Sequence, residues 1–246
     1  MRDDLLDAHA SVKWAIAQIP VLQERFLTWM RSNPYELRLE NDPDSSDKFI
    51  VAREKIPLDP LINVEAGLII NANRSALDMV AAALSQRNGI EPDRYTKFPI
   101  HELESGLAGD LNNIKQKNWL SDAEIAAIKS LKPYKGGDAL LYPLHYLDIV
   151  RKHERLIRAN PQIIKLHTTL VLWGARSETH RLPDKTILVR CPWTTSDHPL
   201  SQNNTNLTSE ITINEPSIGL VDEALVLKLR AFCSRCYDII KLLDVP

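Results

Sequence analysis

Apolar residues dominate the stretch from Leu61 to Leu84, LINVEAGLIINANRSALDMVAAAL, and they occur on nearly every side of a helix with 3.6 residues per turn. Such a helix has little solvent-facing surface and is expected at the centre of a fold. Asp59-Pro60 supplies an N-cap and a first-turn proline, and Asn88-Gly89 supplies a stop. The pattern therefore predicts one long central helix.

The rest of the chain divides into helical and extended segments. Two alternating runs joined by the polar loop NDPDSSD predict a hairpin, 35–40 with 48–56. Apolar residues at helical spacing predict further helices over 4–32 (broken or kinked at Pro20), 121–132, 142–160 and 220–243. Alternating or β-branched runs predict strands over 163–173, 186–191 and 210–214.

This order of elements predicts an α+β fold in a single domain covering residues 1–246. A helical bundle built from about 1–32, 58–160 and 218–244 surrounds the central buried helix. The strands within about 35–56 and 163–215 form an antiparallel or mixed β-sheet packed on one side. No repeat or linker divides the chain.

Composition narrows the functional classes. A net charge of −2 gives no general attraction to nucleic acid or anionic lipid, and no apolar run is long and uncharged enough to cross a membrane. The first ten residues, MRDDLLDAHA, are acidic where a secretory signal would have a basic and then an apolar run, which favours a cytoplasmic location. Cys233 and Cys236 form a C-x-x-C spacing inside a helical pattern with no second pair, so core thiols are expected rather than a zinc site. No nucleotide or cofactor motif is present, and no cofactor is predicted.

Polar residues interrupt the central helix on one side. Asn71, Arg74 and Asp78 stand at i, i+3 and i+7, which aligns them along one face. A buried guanidinium and carboxylate need partners, because an unpaired buried charge costs several kcal/mol, roughly. The element that meets this face is the best clue to function.

A second triplet with the same spacing lies in the segment LHYLDIVRKHERLI. His145, Asp148 and Lys152 stand at i, i+3 and i+7, with His153 beside them. Two helices with matching polar faces in apolar settings are expected to pack together. Arg74 would then pair with Asp148, and Asp78 with Lys152 or a histidine.

The segments SNPYELRLENDP, GLIINANRSALDMVAAAL, KFPI and LKPYKGGDALLYPLHYLDIVRKHERLI occur in this order over roughly residues 30–160. Together they resemble an uncharacterised family of bacterial hypothetical proteins, which implies a bacterial origin but brings no known activity. Members of that family often carry Arg-Ser-Ala-Leu-Asp-His on the central helix, whereas this chain has Met79 at the histidine position.

That Arg-x(4)-His spacing is similar to the motif of HEPN-like ribonucleases, small helical proteins in which arginine and histidine support attack by an RNA 2′-hydroxyl. The resemblance implies RNA binding or cleavage. Because Met79 replaces the motif histidine, His145 or His153 from the neighbouring helix would have to act as acid or base.

Three interpretations of the two triplets stay open. The first is a site for RNA or a small anionic ligand, with Arg74 and Lys152 as cationic groups and His145 or His153 as acid/base. The second is a metal site made by His145, Asp148, His153 and Asp78, which Lys152 opposes. The third is a structural network in a non-catalytic binding or assembly protein. The candidate catalytic residues are Arg74, Asp78, His145, Asp148, Lys152 and His153; no metal ligand is assigned.

Overall fold

A computed structural model describes residues 2–168, 176–182, 185–191 and 205–244 of the chain. Over these residues it confirms the predicted α+β class, with six α-helices and two small antiparallel sheets. The helices are α1 (Leu6–Arg31), α2 (Leu61–Arg87), α3 (Glu104–Gln116), α4 (Asp122–Ser130), α5 (Leu141–His153) and α6 (Leu225–Leu242). The strands are β1 (Tyr35–Asn41), β2 (Lys48–Glu54), β3 (Ala159–Thr168), β4 (Arg176–Arg181), β5 (Thr186–Cys191), β6 (Thr205–Glu215) and β7 (Leu220–Ala224).

The chain divides into two compact units. The first unit comprises residues 1–23, 61–158 and 213–246, and contains α2 to α6 together with β7. The second unit comprises residues 24–60 and 159–212, and contains the β1–β2 hairpin together with β3, β4 and β5. All the candidate site residues belong to the first unit, which is therefore the part of the fold that bears on function.

The central helix α2 has the predicted boundaries. It begins directly after Asp59-Pro60 and ends at Arg87, and Gly89 follows with a positive φ of 77°. About half of its residues are buried, Ile69, Ile70 and Leu77 completely so, and α5 and α6 both pack against it.

One face of α2 is nevertheless open to solvent. Leu61 is 50% exposed, Leu68 is 44% exposed and Met79 is 41% exposed. An apolar composition on nearly every side predicted burial on every side, and along this face that prediction is wrong.

The first sheet has the strand order β1-β2-β5-β4. The predicted hairpin is confirmed, since β1 and β2 pair antiparallel from Tyr35 opposite Glu54 to Asn41 opposite Lys48. Strand β5 has the predicted bounds of Thr186–Cys191. The second sheet has the order β3-β6-β7.

Several predicted boundaries are wrong. The helix predicted over 142–160 stops at His153, because the chain enters β3 at Ala159. The helix predicted over 220–243 begins only at Leu225, since residues 220–224 form β7 beside β6. The strand predicted over 163–173 is described as far as Thr168, and its remaining residues lie outside the described ranges. Residues 192–204 of the loop predicted over 192–209 also lie outside the described residues.

Local helix signals were more reliable. The Ser121 hydroxyl accepts a hydrogen bond from the Glu124 backbone N–H, and the Glu124 carboxylate accepts one from the Ser121 backbone N–H. This confirms the predicted capping box at the start of α4. Among the helices that the structure describes, none combines the length and the apolar character that a membrane crossing requires.

Candidate functional site

The two predicted polar faces meet where α5 packs antiparallel against α2. Arg74 contacts His145, and Asn71 contacts Asp148 one turn away along both helices. A further turn along, Gly67 lies so close to Arg151 that an added Cβ would be 3.0 Å from the arginine Cδ. The matched spacing of the two triplets therefore did indicate two helices in contact, as expected for residues on one helical face.

Arg74 is only 4% exposed and donates from all three guanidinium nitrogens. Its Nε donates to His145 Nδ1 at 3.2 Å, its Nη1 to Asp78 Oδ1 at 2.6 Å, and its Nη2 to the carbonyl of Phe98 at 3.0 Å. A bond to Asp78 replaces the predicted pairing with Asp148, which is a correction. The cause is axial register, since Asp148 lies at the level of Asn71 rather than of Arg74.

Arg74 and Asp78 together hold the buried residue Phe98. The Phe98 backbone N–H donates to Asp78 Oδ1 at 2.9 Å, while the Phe98 carbonyl accepts from Arg74. The Phe98 side chain is 1% exposed, so no water is available to replace these two backbone hydrogen bonds. The ion pair on α2 thus satisfies both backbone polar groups of a residue at the centre of the core.

Asp148 is the second buried charge of the network, with 3% of its surface exposed. It accepts from Asn71 Nδ2 at 3.0 Å, from Arg151 Nε at 3.3 Å and from Lys152 Nζ at 2.5 Å. Lys152 therefore bonds to its own helix, whereas Asp78 was predicted to pair with Lys152 or with a histidine. The Lys152 side chain is 39% exposed, so this end of the network reaches solvent.

His145 lies half-buried between the two ion pairs. Burial, followed by the positive charge of Arg74, lowers the pKa of His145 from 6.5 to about 4. The imidazole is neutral at pH 7, and its Nδ1 accepts from Arg74, which leaves the ring proton on Nε2. In that tautomer His145 can donate a hydrogen bond but cannot take up a proton as a base.

The sequence did not single out His101 as part of the site, but the structure brings it close. Its Nε2 lies 3.0 Å from Asp110 Oδ2, and its proximity is one of the smaller causes that lower the pKa of His145. His101 precedes α3 and Asp110 lies within that helix. Because the two residues share no helical or strand periodicity, no signal in the sequence predicted the pair.

The remaining candidate, His153, is the last residue of α5 and is exposed. The metal interpretation needed His153 to approach His145 and Asp148. Within the described part of the chain, no three His, Cys, Asp or Glu side chains come together as a set of metal ligands.

A cavity of about 520 Å³ opens between α3 and α4, away from the predicted triplets. Its lining includes Leu107, Leu111 and Ile125 as apolar groups and Lys115 and Tyr134 as polar groups. None of the six candidate residues lines it. The two triplets therefore form a side-chain network between helices and do not contribute to this cavity.

In comparisons with known proteins, no family model, no curated protein and no solved structure matches the chain.

Proposed function

We infer that the chain is a non-catalytic binding or assembly protein in which the Arg74, Asp78 and Asp148 cluster is a structural network. One observation supports this most directly: Arg74 and Asp78 bond to both backbone groups of the buried residue Phe98. An arginine that binds substrate phosphate must present free N–H groups to solvent. The Arg74 guanidinium is buried, and each of its nitrogens already donates within the protein.

The histidine chemistry supports the same proposal. A general base needs an unprotonated nitrogen within reach of substrate, and a general acid needs a pKa near the working pH. His145 meets neither condition, because Arg74 occupies its lone pair and its pKa is lowered to about 4. Its role is to orient the guanidinium.

The test compares Arg74→Met with Arg94→Met, an exposed arginine in the loop after α2. For each variant, thermal unfolding is measured, together with binding and cleavage of a mixed RNA pool. A structural Arg74 predicts a loss of about 3 kcal/mol on substitution, because Asp78 loses its buried partner, and a near-neutral effect at Arg94. Wild-type protein would neither bind nor cut RNA. An Arg74→Met protein that melts like wild type, beside a wild type that binds or cleaves RNA, would refute the proposal.

A second candidate function is binding of RNA phosphate or another small anion at the end of α5. It is favoured by the sharing of one buried carboxylate, Asp148, between Arg151 and Lys152, and by the partial exposure of Lys152. A HEPN-like reaction would need this same surface. The negative end of the α5 dipole opposes anion binding there, so it ranks second. This candidate is tested by measuring RNA binding and thermal melting of the Lys152→Ala protein. Loss of RNA binding with an unchanged melting temperature would favour it.

A further inference from the structure

The exposed face of α2 has a regular pattern that the polar network does not explain. We call it the α2 stripe, and its members are Leu61, Val64, Leu68, Ala72, Ser75, Met79 and Ala82. At about 100° per residue they fall within roughly 80° of the helix circumference and extend about 30 Å along it. The side chains are partly or largely exposed, and none is charged. A continuous apolar face of this length on a core helix is typical of an interaction surface.

The spacing of the stripe is the same read in either direction. From Leu61 to Ala82 the outer six members are separated by 3, 4, 7, 4 and 3 residues, with Ala72 next to the midpoint. About this midpoint Leu61 corresponds to Ala82 and Leu68 to Ser75, a large residue with a small one, whereas Val64 corresponds to Met79 and both are large. An antiparallel copy of the same helix would therefore set each leucine against a small residue, as a two-fold interface requires.

Resting on the proposed function, we propose that the α2 stripe is the surface on which a second copy of this chain docks, with the two α2 helices antiparallel and Ala72 near the two-fold axis. The non-catalytic role then becomes self-assembly. Small residues at the crossing point allow the helix axes to approach within about 8–10 Å.

Charges beside the stripe agree with this arrangement. Asp78 and Lys152 both lie on the flank where α5 packs, with side chains 34% and 39% exposed. Contacts between the helices place Lys152 at the level of Gly67 on α2, because its neighbour Arg151 contacts that glycine. A two-fold axis near Ala72 brings Asp78 of one copy to the level of Glu65 of the other, with Lys152 about 3 Å further along the axis. Glu65 lies about 140° around α2 from Asp78, whereas Lys152 lies on the same flank as Asp78, so Lys152 is the charge that Asp78 meets on that flank.

The size of the surface also has to be sufficient. A stable dimer buries roughly 800 Å² on each partner, which is more than one helix face supplies. The flanking helices supply more apolar surface. Ser11 of α1 donates to the Ala72 carbonyl at 2.8 Å, and Trp14, three residues further on the same flank, is 45% exposed. On the other side Ile149 of α5 is 39% exposed beside Asp148.

Sedimentation velocity over a protein concentration series tests the proposal. Wild type is expected to show a monomer–dimer equilibrium, and Leu68→Glu to weaken dimerisation at least about tenfold, since it places two carboxylates in an apolar contact. The matched control is Leu227→Glu, at an apolar position of α6 that is 68% exposed, and its dimerisation should equal that of wild type. A monomeric wild type at every concentration, or a dimer unaffected by Leu68→Glu, overturns the proposal.

The register is tested separately, so that a failure of Leu68→Glu to fold does not decide the matter. In a Cys191→Ser background, Ala72→Cys should form an intermolecular disulfide under mild oxidation, whereas Leu227→Cys should not. A dimer in which Ala72→Cys does not cross-link overturns the two-fold register.

These outcomes also separate the two proposals. A monomer that neither binds nor cuts RNA refutes self-assembly and leaves a binding role. A dimer that cleaves RNA refutes the non-catalytic role and leaves the interface.

Discussion

Arg74 donates from Nε to Nδ1 of His145 at 3.2 Å, so the charged side chain of α2 fixes the tautomer of the histidine on α5. The contact is possible only while the imidazole is neutral, because a protonated Nδ1 would present a donor to a donor. The same contact that orients the guanidinium therefore makes the network sensitive to acid.

His145 is expected to make stability fall as the pH is lowered. Its pKa is about 4 in the folded protein, against 6.5 as the ordinary value. Between these two values the unfolded chain binds more protons, so the free energy of unfolding rises with pH across pH 4 to 6.5. The shift corresponds to about 3 kcal/mol, fully present above pH 6.5 and lost as the pH falls towards 4.

Urea unfolding at several pH values, in wild type and in His145→Gln, measures this effect. Glutamine offers an oxygen acceptor to Arg74 but does not titrate. The difference in unfolding free energy between the two proteins should therefore change across pH 4 to 6.5, even though carboxylates contribute to both curves. Parallel curves would show that His145 is not held neutral by the fold.

The sequence predicted best those features that depend on neighbouring residues. The start of α2 directly after Asp59-Pro60 and the capping box at Ser121 are local features. At Ser121 a side chain bonds to a backbone group within one turn. The hairpin also needs only two alternating runs and a short loop.

Features that depend on distant partners were predicted less well. The apolar pattern over residues 220–224 predicted the start of an amphipathic helix, but these residues form β7 by pairing with β6. Likewise α5 ends at His153, where the chain turns towards β3. Tertiary pairing overrides a local preference that is worth only tenths of a kcal/mol, roughly, per residue.

The candidate site shows the same division. Helical spacing predicted that Arg74 and Asp148 belong to two contacting faces, and they do. Spacing within a helix carries no information on the axial register between helices, so the predicted pairs were wrong. The backbone of Phe98 lies outside any periodic pattern, and its role could be seen only in the fold.

The two thiols on α6 are expected to be unreactive in the folded protein. Burial raises the pKa of the Cys233 thiol and that of the Cys236 thiol, and the two residues are 2% and 0% exposed. Asn73 bonds to both thiols. Its side-chain Nδ2 donates to Cys233 Sγ at 3.3 Å, and its backbone carbonyl accepts from the Cys236 thiol. A reactive thiolate requires a lowered pKa and exposure, so neither condition is met.

Iodoacetamide labelling in a Cys191→Ser background tests this expectation. Both thiols should react only as fast as the protein unfolds, and urea should accelerate labelling. Lys97→Cys, at an exposed position, is the control that should react at once. Rapid labelling of the folded Cys191→Ser protein would instead indicate an accessible C-x-x-C pair.

Removal of the capping box at the start of α4 is expected to lower the free energy of unfolding. Ser121→Ala removes the acceptor for the Glu124 N–H and should lower the free energy of unfolding by about 1 kcal/mol. Ser130→Ala is a matched control at the last residue of the same helix, where the hydroxyl donates to the Ala127 carbonyl and caps no helix N-terminus. Equal effects in urea unfolding would show that the cap contributes nothing.

Asp148→Asn tests whether the α5 half of the network is structural. The substitution leaves Arg151 and Lys152 with a neutral partner while keeping the shape of the side chain. Because Asp148 is buried but Lys152 is partly solvated, the expected loss of stability is about 2 kcal/mol, less than for a fully buried pair. The exposed residue Glu154, at the end of the same helix, provides Glu154→Gln as a control with little effect. In an anion-binding site the result would be reversed, because removal of the Asp148 charge would release Arg151 and Lys152 and strengthen phosphate binding at little cost in stability.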